Sequence, residues 1–350
     1  MKTCAENKPV SKNQEIQAMV KSARKKYHIA LTMGDPAGIG PEIIVKAFQH
    51  WQPPKYIALT VYGDTRRLRL AAKISGGAIK PIPAIRDFKN TRENLAWGKI
   101  SKSAGKAAGQ YIESAITDAL SGKVDAIVTA PIHKAAFSRA GYPWAGHTDM
   151  LEYLCEVPAT VMMLASKQMR VAVLTHHIPL AEVPKAIDKI RLTLGIQVFH
   201  NGLRQYGIFQ NPRIAVCGLN PHAGESGRFG LEEKNIITPV ILRARKSGMD
   251  VSGPHPADTV FVRHLQGEFD AVLTMYHDQG LIPLKLNAFG KAANVTLGLP
   301  FVRTSVDHGT AFDLAGSGKA KPDSLLFATK YAISMLRQQE KVADLPRNIR

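Results

Sequence analysis

Three histidines stand where chemistry could be done. Val171–Leu174 leads into Thr175-His176-His177, Ile214–Cys217 into Asn220-Pro221-His222, and Ala271–Met275 into Tyr276-His277-Asp278-Gln279. Each preceding run has strand character, and ligands of open α/β sheets bind outside the carboxyl ends of the strands. Three strands could therefore bring His177, His222 and His277 to one point. Three neutral imidazoles with a fourth position open are a common cradle for a catalytic divalent ion. Their spacing is not itself a metal motif, and His176 competes with His177 as the first ligand.

Other residue sets suit an anion. Lys285, Asn294 and Arg303 follow the last histidine, with Asn294 opening a strand and Arg303 closing one after Leu299-Pro300-Phe301. Arginine can hold a carboxylate or phosphate through two parallel hydrogen bonds, whereas lysine supplies a point charge. Gly146-His147-Thr148 follows a Gly/Pro/Trp loop and offers a hydroxyl and backbone N–H groups to an oxyanion. Asp35–Glu42 is a Gly/Pro turn between a strand and a helix, with Pro41 at the helix start. That turn is neither GxGxxG nor GxxxxGK[ST], which disfavours an ordinary Rossmann enzyme or a P-loop NTPase. The run Asp307–Ala320 is dense in small and polar residues; its glycines admit close approach of a planar ligand, and an aspartate there could accept from a ribose diol.

These residues need a scaffold. Short Val/Ile/Leu runs are expected as strands at His28–Met33, Tyr56–Tyr62, Ala126–Thr129, Thr160–Leu164, Val171–Leu174, Ile214–Cys217, Ala271–Met275 and Asn294–Leu297. Helical patterns lie between them near 41–49, 106–121, 181–200, 232–247 and 324–338. Continuous apolar strands separated by helices predict a mostly parallel α/β sheet. At 350 residues the chain suggests two domains, and composition alone would divide it near 150.

Composition narrows the function. Hydrophobic residues make up 45% and charged residues 21%, which are globular proportions. No apolar run approaches the ~18–20 residues that span a bilayer. Cys4, Cys155 and Cys217 are scattered without a CxxC, which argues against a disulfide framework and fits a reducing cytoplasm. The net charge of +18 invites anionic partners. Residues 1–27 read as a flexible basic extension, with no secretory h-region and with Glu6 and Glu15 unusual for a transit peptide. No basic run exceeds three residues and aromatics are only 7%, so an acidic small molecule is expected rather than nucleic acid.

At this point the chain resembles the 4-hydroxythreonine-4-phosphate dehydrogenases. The resemblance rests on Met33–Glu42, Gly146-His147-Thr148, Leu219–Glu225, Pro256–Thr259, Met275–Gly280 and Leu299–Thr310, and covers about 28–340. It implies an isopropylmalate dehydrogenase-like fold of two α/β domains around a cleft: 28–150 with 305–350 forming the first, 151–304 the second. It implies divalent metal ligands (Zn, Mg or Co) at His177, His222 and His277, the first by the pattern His177-Ile178-Pro179-Leu180. Substrate-binding residues fall on His147, Thr148, Lys285, Asn294 and Arg303. The loop after Asp307 would bind NAD or NADP, through Gly309 and Asp313. Asp258 and Asp278 are candidates for proton transfer or for support of a histidine.

The family is a homodimer with shared active sites. The implied reaction is oxidation and decarboxylation of 4-phosphooxy-L-threonine to 3-amino-2-oxopropyl phosphate, a pyridoxal phosphate precursor. The nearest alternative is a related dehydrogenase of threonate or erythronate 4-phosphate. A dehydrogenase of a cyclic dihydrodiol dicarboxylate would need no phosphate anchor, and a metal-dependent phosphatase would release phosphate without NADH.

Overall fold

The computed structural model describes residues 26–343. Eleven strands form one sheet in the order β3-β2-β1-β4-β11-β10-β5-β6-β9-β7-β8. They are β1 Tyr27–Thr32, β2 Ile57–Gly63, β3 Ile85–Asp87, β4 Ala126–Thr129, β5 Val161–Ala165, β6 Arg170–Thr175, β7 Ile214–Cys217, β8 Val251–His255, β9 Ala271–Tyr276, β10 Ala293–Leu297 and β11 Val302–Ser305. Pairing is parallel except where β10 meets β11 and β5, and where β5 meets β6. The mostly parallel α/β sheet expected from the apolar runs is therefore present.

Helices cover the sheet. Those that bear on function are α1 Gly40–His50, α2 Thr65–Ile74, α3 Lys102–Leu120, α4 Lys134–Arg139, α5 His147–Leu154, α6 Lys189–Gln205, α7 Thr238–Lys246, α8 Ala257–Leu265, α9 His277–Ala288 and α10 Asp323–Ala343. Their starts follow local chemistry. Asp64 accepts from Arg67 N at the head of α2, and Asp188 from Arg191 N at the head of α6, each satisfying an orphan donor of the first turn. Asp188 also explains why the helical pattern expected over 181–200 is broken: a short turn ends before it and α6 begins after it.

Two expectations are corrected. Tyr27 is not part of an extension: it opens β1, is 4% exposed, and its hydroxyl donates to Glu340. Lys26 is exposed just before Tyr27, and residues 1–25 of the basic segment lie outside the described residues. Arg303 does not close a strand; it is the second residue of β11, because the turn at Gly298–Pro300 separates it from β10. Strand β11 lies parallel to β4 and antiparallel to β10, so a late piece of sequence sits in mid-sheet. Among the described residues no helix is long and apolar enough to cross a membrane.

Candidate active site

A cavity of about 440 Å³ opens where the carboxyl ends of β4, β6, β9 and β11 meet. Its wall gathers the expected residues His147, Thr148, His177, His277, Lys285, Asn294, Arg303 and Gly309. His222, Asp258, Asp278 and Asp313 are not on that wall. Asp278 borders a neighbouring cavity with His177 and His277, while Asp313 and Asp258 are exposed on their loop and helix.

Arg303 is only 2% exposed. Its Nη1 donates to Thr296 Oγ1 and its Nη2 to Thr129 Oγ1, each at 2.8 Å. Burial lowers its pKa to about 10, so it remains a cation at neutral pH. His147 opens α5; burial first, and the Arg303 charge second, push its imidazole well below its usual range and keep it neutral. Three buried polar atoms on this wall have no protein partner: Arg303 Nε, His147 Nε2 and Asn294 Oδ1. Buried polar atoms are usually paired, because leaving one unpaired costs about 1–3 kcal/mol. Their convergence on one cavity marks where a polar ligand would sit.

The imidazoles divide. His177 and His277 have ring centroids 6.1 Å apart. Thr175 Oγ1 donates to Met275 O at 2.7 Å, tying the two strand ends that carry them. Desolvation, and then Lys134, lower His177 to about 4, so it is a neutral imidazole with a free lone pair. His277 Nδ1 lies 2.6 Å from Asp278 Oδ1. A carboxylate only accepts, so Nδ1 carries the proton and Nε2 is left as the electron-pair donor, the usual arrangement of a ligating histidine.

His222 does not join them, and among the described residues no three His, Cys, Asp or Glu side chains are arranged to hold a metal. It lies on an exposed turn in which His222, Ala223, Gly224, Glu225 and Ser226 all have positive φ. Non-glycine residues adopt that region at a cost of about 1–2 kcal/mol each. The turn is held by buried Glu233, whose Oε1 accepts from Leu219 N and Asn220 N, both at 2.8 Å. Gln279 links the turn to the head of α9: its Oε1 accepts from Met275 N and its Nε2 donates to Gly218 O. The donor chemistry of His177 and His277 thus fits a divalent ion; of the three expected ligands one chain brings two together, and His176 lies on the same wall with its ring centroid 5.1 Å from that of His177.

The sequence reading missed Thr129, Lys134 and Asp149 on the cavity wall; Asp307 and His308, also on it, lay in the run Asp307–Ala320 but had no individual role. Lys134 is the first residue of α4, and its charge acts on both His176 and His177. Asp149 stands in the first turn of α5 and acts on the same pair with opposite sign. Asp149 follows directly on the Gly-His-Thr cluster, the one local signal that could have included it.

The model of the family described as "Pyridoxal phosphate biosynthetic protein PdxA" matches residues 55–332. The chain belongs to the PdxA family. It is 41% identical over 319 residues to the 4-hydroxythreonine-4-phosphate dehydrogenase of Sulfurihydrogenibium sp. (strain YO3AOP1), covering 88% of this chain and 98% of that one. It is 44% identical over 318 residues to the D-threonate 4-phosphate dehydrogenase of Cupriavidus necator, covering 86% and 95%. The crystal structure of the 4-hydroxythreonine-4-phosphate dehydrogenase of Klebsiella pneumoniae superposes with a TM-score of 0.80 at 39% identity, covering 90% and 99%. This PdxA family member is accordingly a dehydrogenase.

The loop after β11 is firmly seated. Gly316 N donates to Glu42 Oε1, and Lys46 Nζ donates to Gly318 O and, at 2.8 Å, to Ala320 O, so α1 holds the loop at two points. Arg67 lies over Trp97, 3.3 Å from the ring centroid, and Gly316 is so close to that ring that a Cβ would meet it at 2.6 Å. The small residues of this loop therefore serve close packing against Trp97 as well as any ligand.

Proposed function

We propose that this chain oxidises the C3 hydroxyl of 4-phosphooxy-L-threonine with NAD⁺, NADP⁺ being the alternative acceptor, and that the product loses CO₂ to give 3-amino-2-oxopropyl phosphate. A hydride leaves C3 for the nicotinamide and the hydroxyl proton is released; the bond from C2 to the carboxylate carbon of the β-keto acid then breaks, CO₂ departs, and C2 takes up a proton in its place. The observation that carries this reading is the unpartnered set Arg303 Nε, His147 Nε2 and Asn294 Oδ1 on a wall that also bears Lys285 and Lys134. The cationic donors Arg303, Lys285 and Lys134 suit the phosphate and carboxylate, whereas Asn294 Oδ1 can only accept, and the fixed phosphate end would position the reacting carbon. Thr148 in the first turn of α5 places the helix N-terminus beside the same anion.

His177 and His277 would hold one divalent ion, Zn, Mg or Co, with His222 of a second copy as the third imidazole. When bound, such an ion would supply Lewis-acid polarisation at the oxygen borne by C3, the carbon that is oxidised. Asp278 acts by fixing the His277 tautomer rather than by touching substrate. Asp258 stands at the head of α8, which packs against the turn of His222, so the two would reach a partner's site together. A homodimer is supported by the exposed apolar residues of α9 and its end: Leu286 is 84% and Phe289 82% exposed on the element that carries His277 and Lys285. Gly309 on the cavity wall and Asp313 beyond it would contact the nicotinamide cofactor. In this reading the domains are 28–150 with 305–350, and 151–304, meeting at the cavity.

A second reading, D-threonate 4-phosphate as substrate, is favoured by the similarity to the Cupriavidus enzyme. The acceptors on the wall, Asn294 Oδ1 with Asp149 and Asp307, suit an ammonium at C2 and favour the amino acid. Following NADH absorbance with each phosphorylated substrate, with and without a chelator, tests both. Turnover of neither would overturn the proposal; turnover of threonate 4-phosphate alone would select the second reading.

A further inference from the structure

We propose that Thr129 and Thr296 are positioning residues for the phosphorylated substrate, acting through Arg303, and that the Thr129 hydroxyl adds a donor of its own to the bound anion. This rests on the reading of the cavity as the substrate site.

Arg303 is a buried cation, and among the described residues no carboxylate pairs with it. Its partners are the two threonine hydroxyls. These come from the strands on either side of β11: Thr129 ends β4 and Thr296 lies in β10. Thr129 is 0% and Thr296 1% exposed. A β-branched side chain on a strand has little rotamer freedom, so the guanidinium is gripped from both flanks by rigid groups. Nε is then the one guanidinium nitrogen without a protein partner.

Proton bookkeeping assigns the second role. A hydroxyl has one proton and two lone pairs, while a guanidinium only donates. Both threonines therefore accept from Arg303 and keep their own protons. Thr129 lines the cavity, so its O–H is available to a ligand beside Arg303 Nε–H. Valine has the same shape without the acceptor or the proton, which makes it the informative replacement.

The test uses the full-length enzyme and the variants Thr129→Val, Thr296→Val and Thr129→Ser, with Arg303→Lys as benchmark. Thr129→Val should raise KM for the phosphorylated substrate about tenfold or more, the scale of one hydrogen bond to a charged group. Thr296→Val should raise it less, because Thr296 acts only through Arg303. The KM for NAD⁺ should stay unchanged, and Thr129→Ser should restore substrate KM to within about threefold. Inorganic phosphate, titrated calorimetrically, should bind more weakly to both valine variants. Thr129→Val combined with Arg303→Lys should cost less than the two single effects multiplied, as expected of groups acting as one unit. If Arg303→Lys is impaired while both valine variants keep normal KM and phosphate binding, the proposal is wrong. If Arg303→Lys itself is silent, the reading of the cavity fails instead. Should Thr129→Val not fold by circular dichroism, Thr296→Val decides the positioning of Arg303, and Thr129→Ala, which removes the hydroxyl without placing a methyl where it stood, decides the donor role: normal KM and phosphate binding in both would overturn the proposal.

Discussion

The N–H of Gly316 donates to the buried carboxylate of Glu42, so the loop bearing Asp313 is fastened to the first helix by a charged hydrogen bond. Glu42 is 0% exposed. Replacing it with alanine should cost about 1.5–3 kcal/mol of stability, the value of a hydrogen bond to a charged group. Amide exchange should accelerate across 309–320 and little elsewhere. Uniform exchange in the variant would show that the loop is held by other contacts.

Asp35 carries the pH dependence of stability in this region. It is 0% exposed, and burial raises its carboxyl from 3.8 to about 6, against the hydrogen bond from Ala37 N and the charge of Arg67. A raised carboxyl favours the protonated folded state. That contribution is complete below about pH 4 and disappears as pH rises through about 6. Relative to wild type, Asp35→Asn should therefore gain stability between those values, by an amount on the order of 3 kcal/mol. Urea midpoints at acidic and neutral pH measure it. Parallel pH profiles for the two proteins would refute the assignment.

Lys134 should be felt at His177. After desolvation, its charge is the largest influence lowering that imidazole to about 4. Lys134→Met should move the His177 titration upward, read by imidazole NMR of the metal-free protein. An unmoved titration would place the lysine charge elsewhere.

Arg303→Lys keeps the charge and loses the fork. Turnover efficiency with the phosphorylated substrate should fall by about one to two orders of magnitude, or roughly 1.4–3 kcal/mol. A loss confined to NAD⁺ would remove Arg303 from the substrate site.

A metal site shared between two copies, as proposed, predicts complementation. His177→Ala and His222→Ala should each be inactive alone. Co-refolded, they should regain about a quarter of wild-type activity, because half the dimers are mixed and one of their two sites is intact. Leu286→Glu with Phe289→Glu should yield monomers in sedimentation and abolish this recovery. No recovery from mixtures that demonstrably form mixed dimers would mean that one chain supplies all three ligands.

Much of the sheet was legible because central parallel strands are continuous apolar runs. Ala126–Thr129 and Ile214–Cys217 begin and end where expected. The missed strands lacked that signature. β3 is a three-residue edge, Ile-Arg-Asp, and β8 contains Gly253 and Pro254, which an edge strand tolerates. β11 is wholly buried yet reads Val-Arg-Thr-Ser, because its polar residues face Thr129, Thr296 and the helix carbonyl of Ala328 rather than water. Helix α9 was hidden by Gly280 and Pro283 within it. At the cavity, His147, Thr148 and His277 from distinctive short motifs line the wall, whereas His222 and Asp258 from equally distinctive motifs do not. Thr129 and Thr296 were not legible, since a threonine in a strand is ordinary until its neighbour across the sheet is known to be a buried arginine.

The position of β11 also constrains how the protein is made. Its neighbours β4 and β10 end at Thr129 and Leu297, so the seam between them stays open until Val302–Ser305 has left the ribosome. A nascent chain of nearly three hundred residues can pair β1 with β2 and β4, but it must wait with two unsatisfied strand edges at the place where the cavity will form. Vectorial synthesis thus delivers this mid-sheet strand last, and the arginine proposed to bind the anion arrives with it. A premature stop before residue 302 would delete the middle of the sheet, not its end.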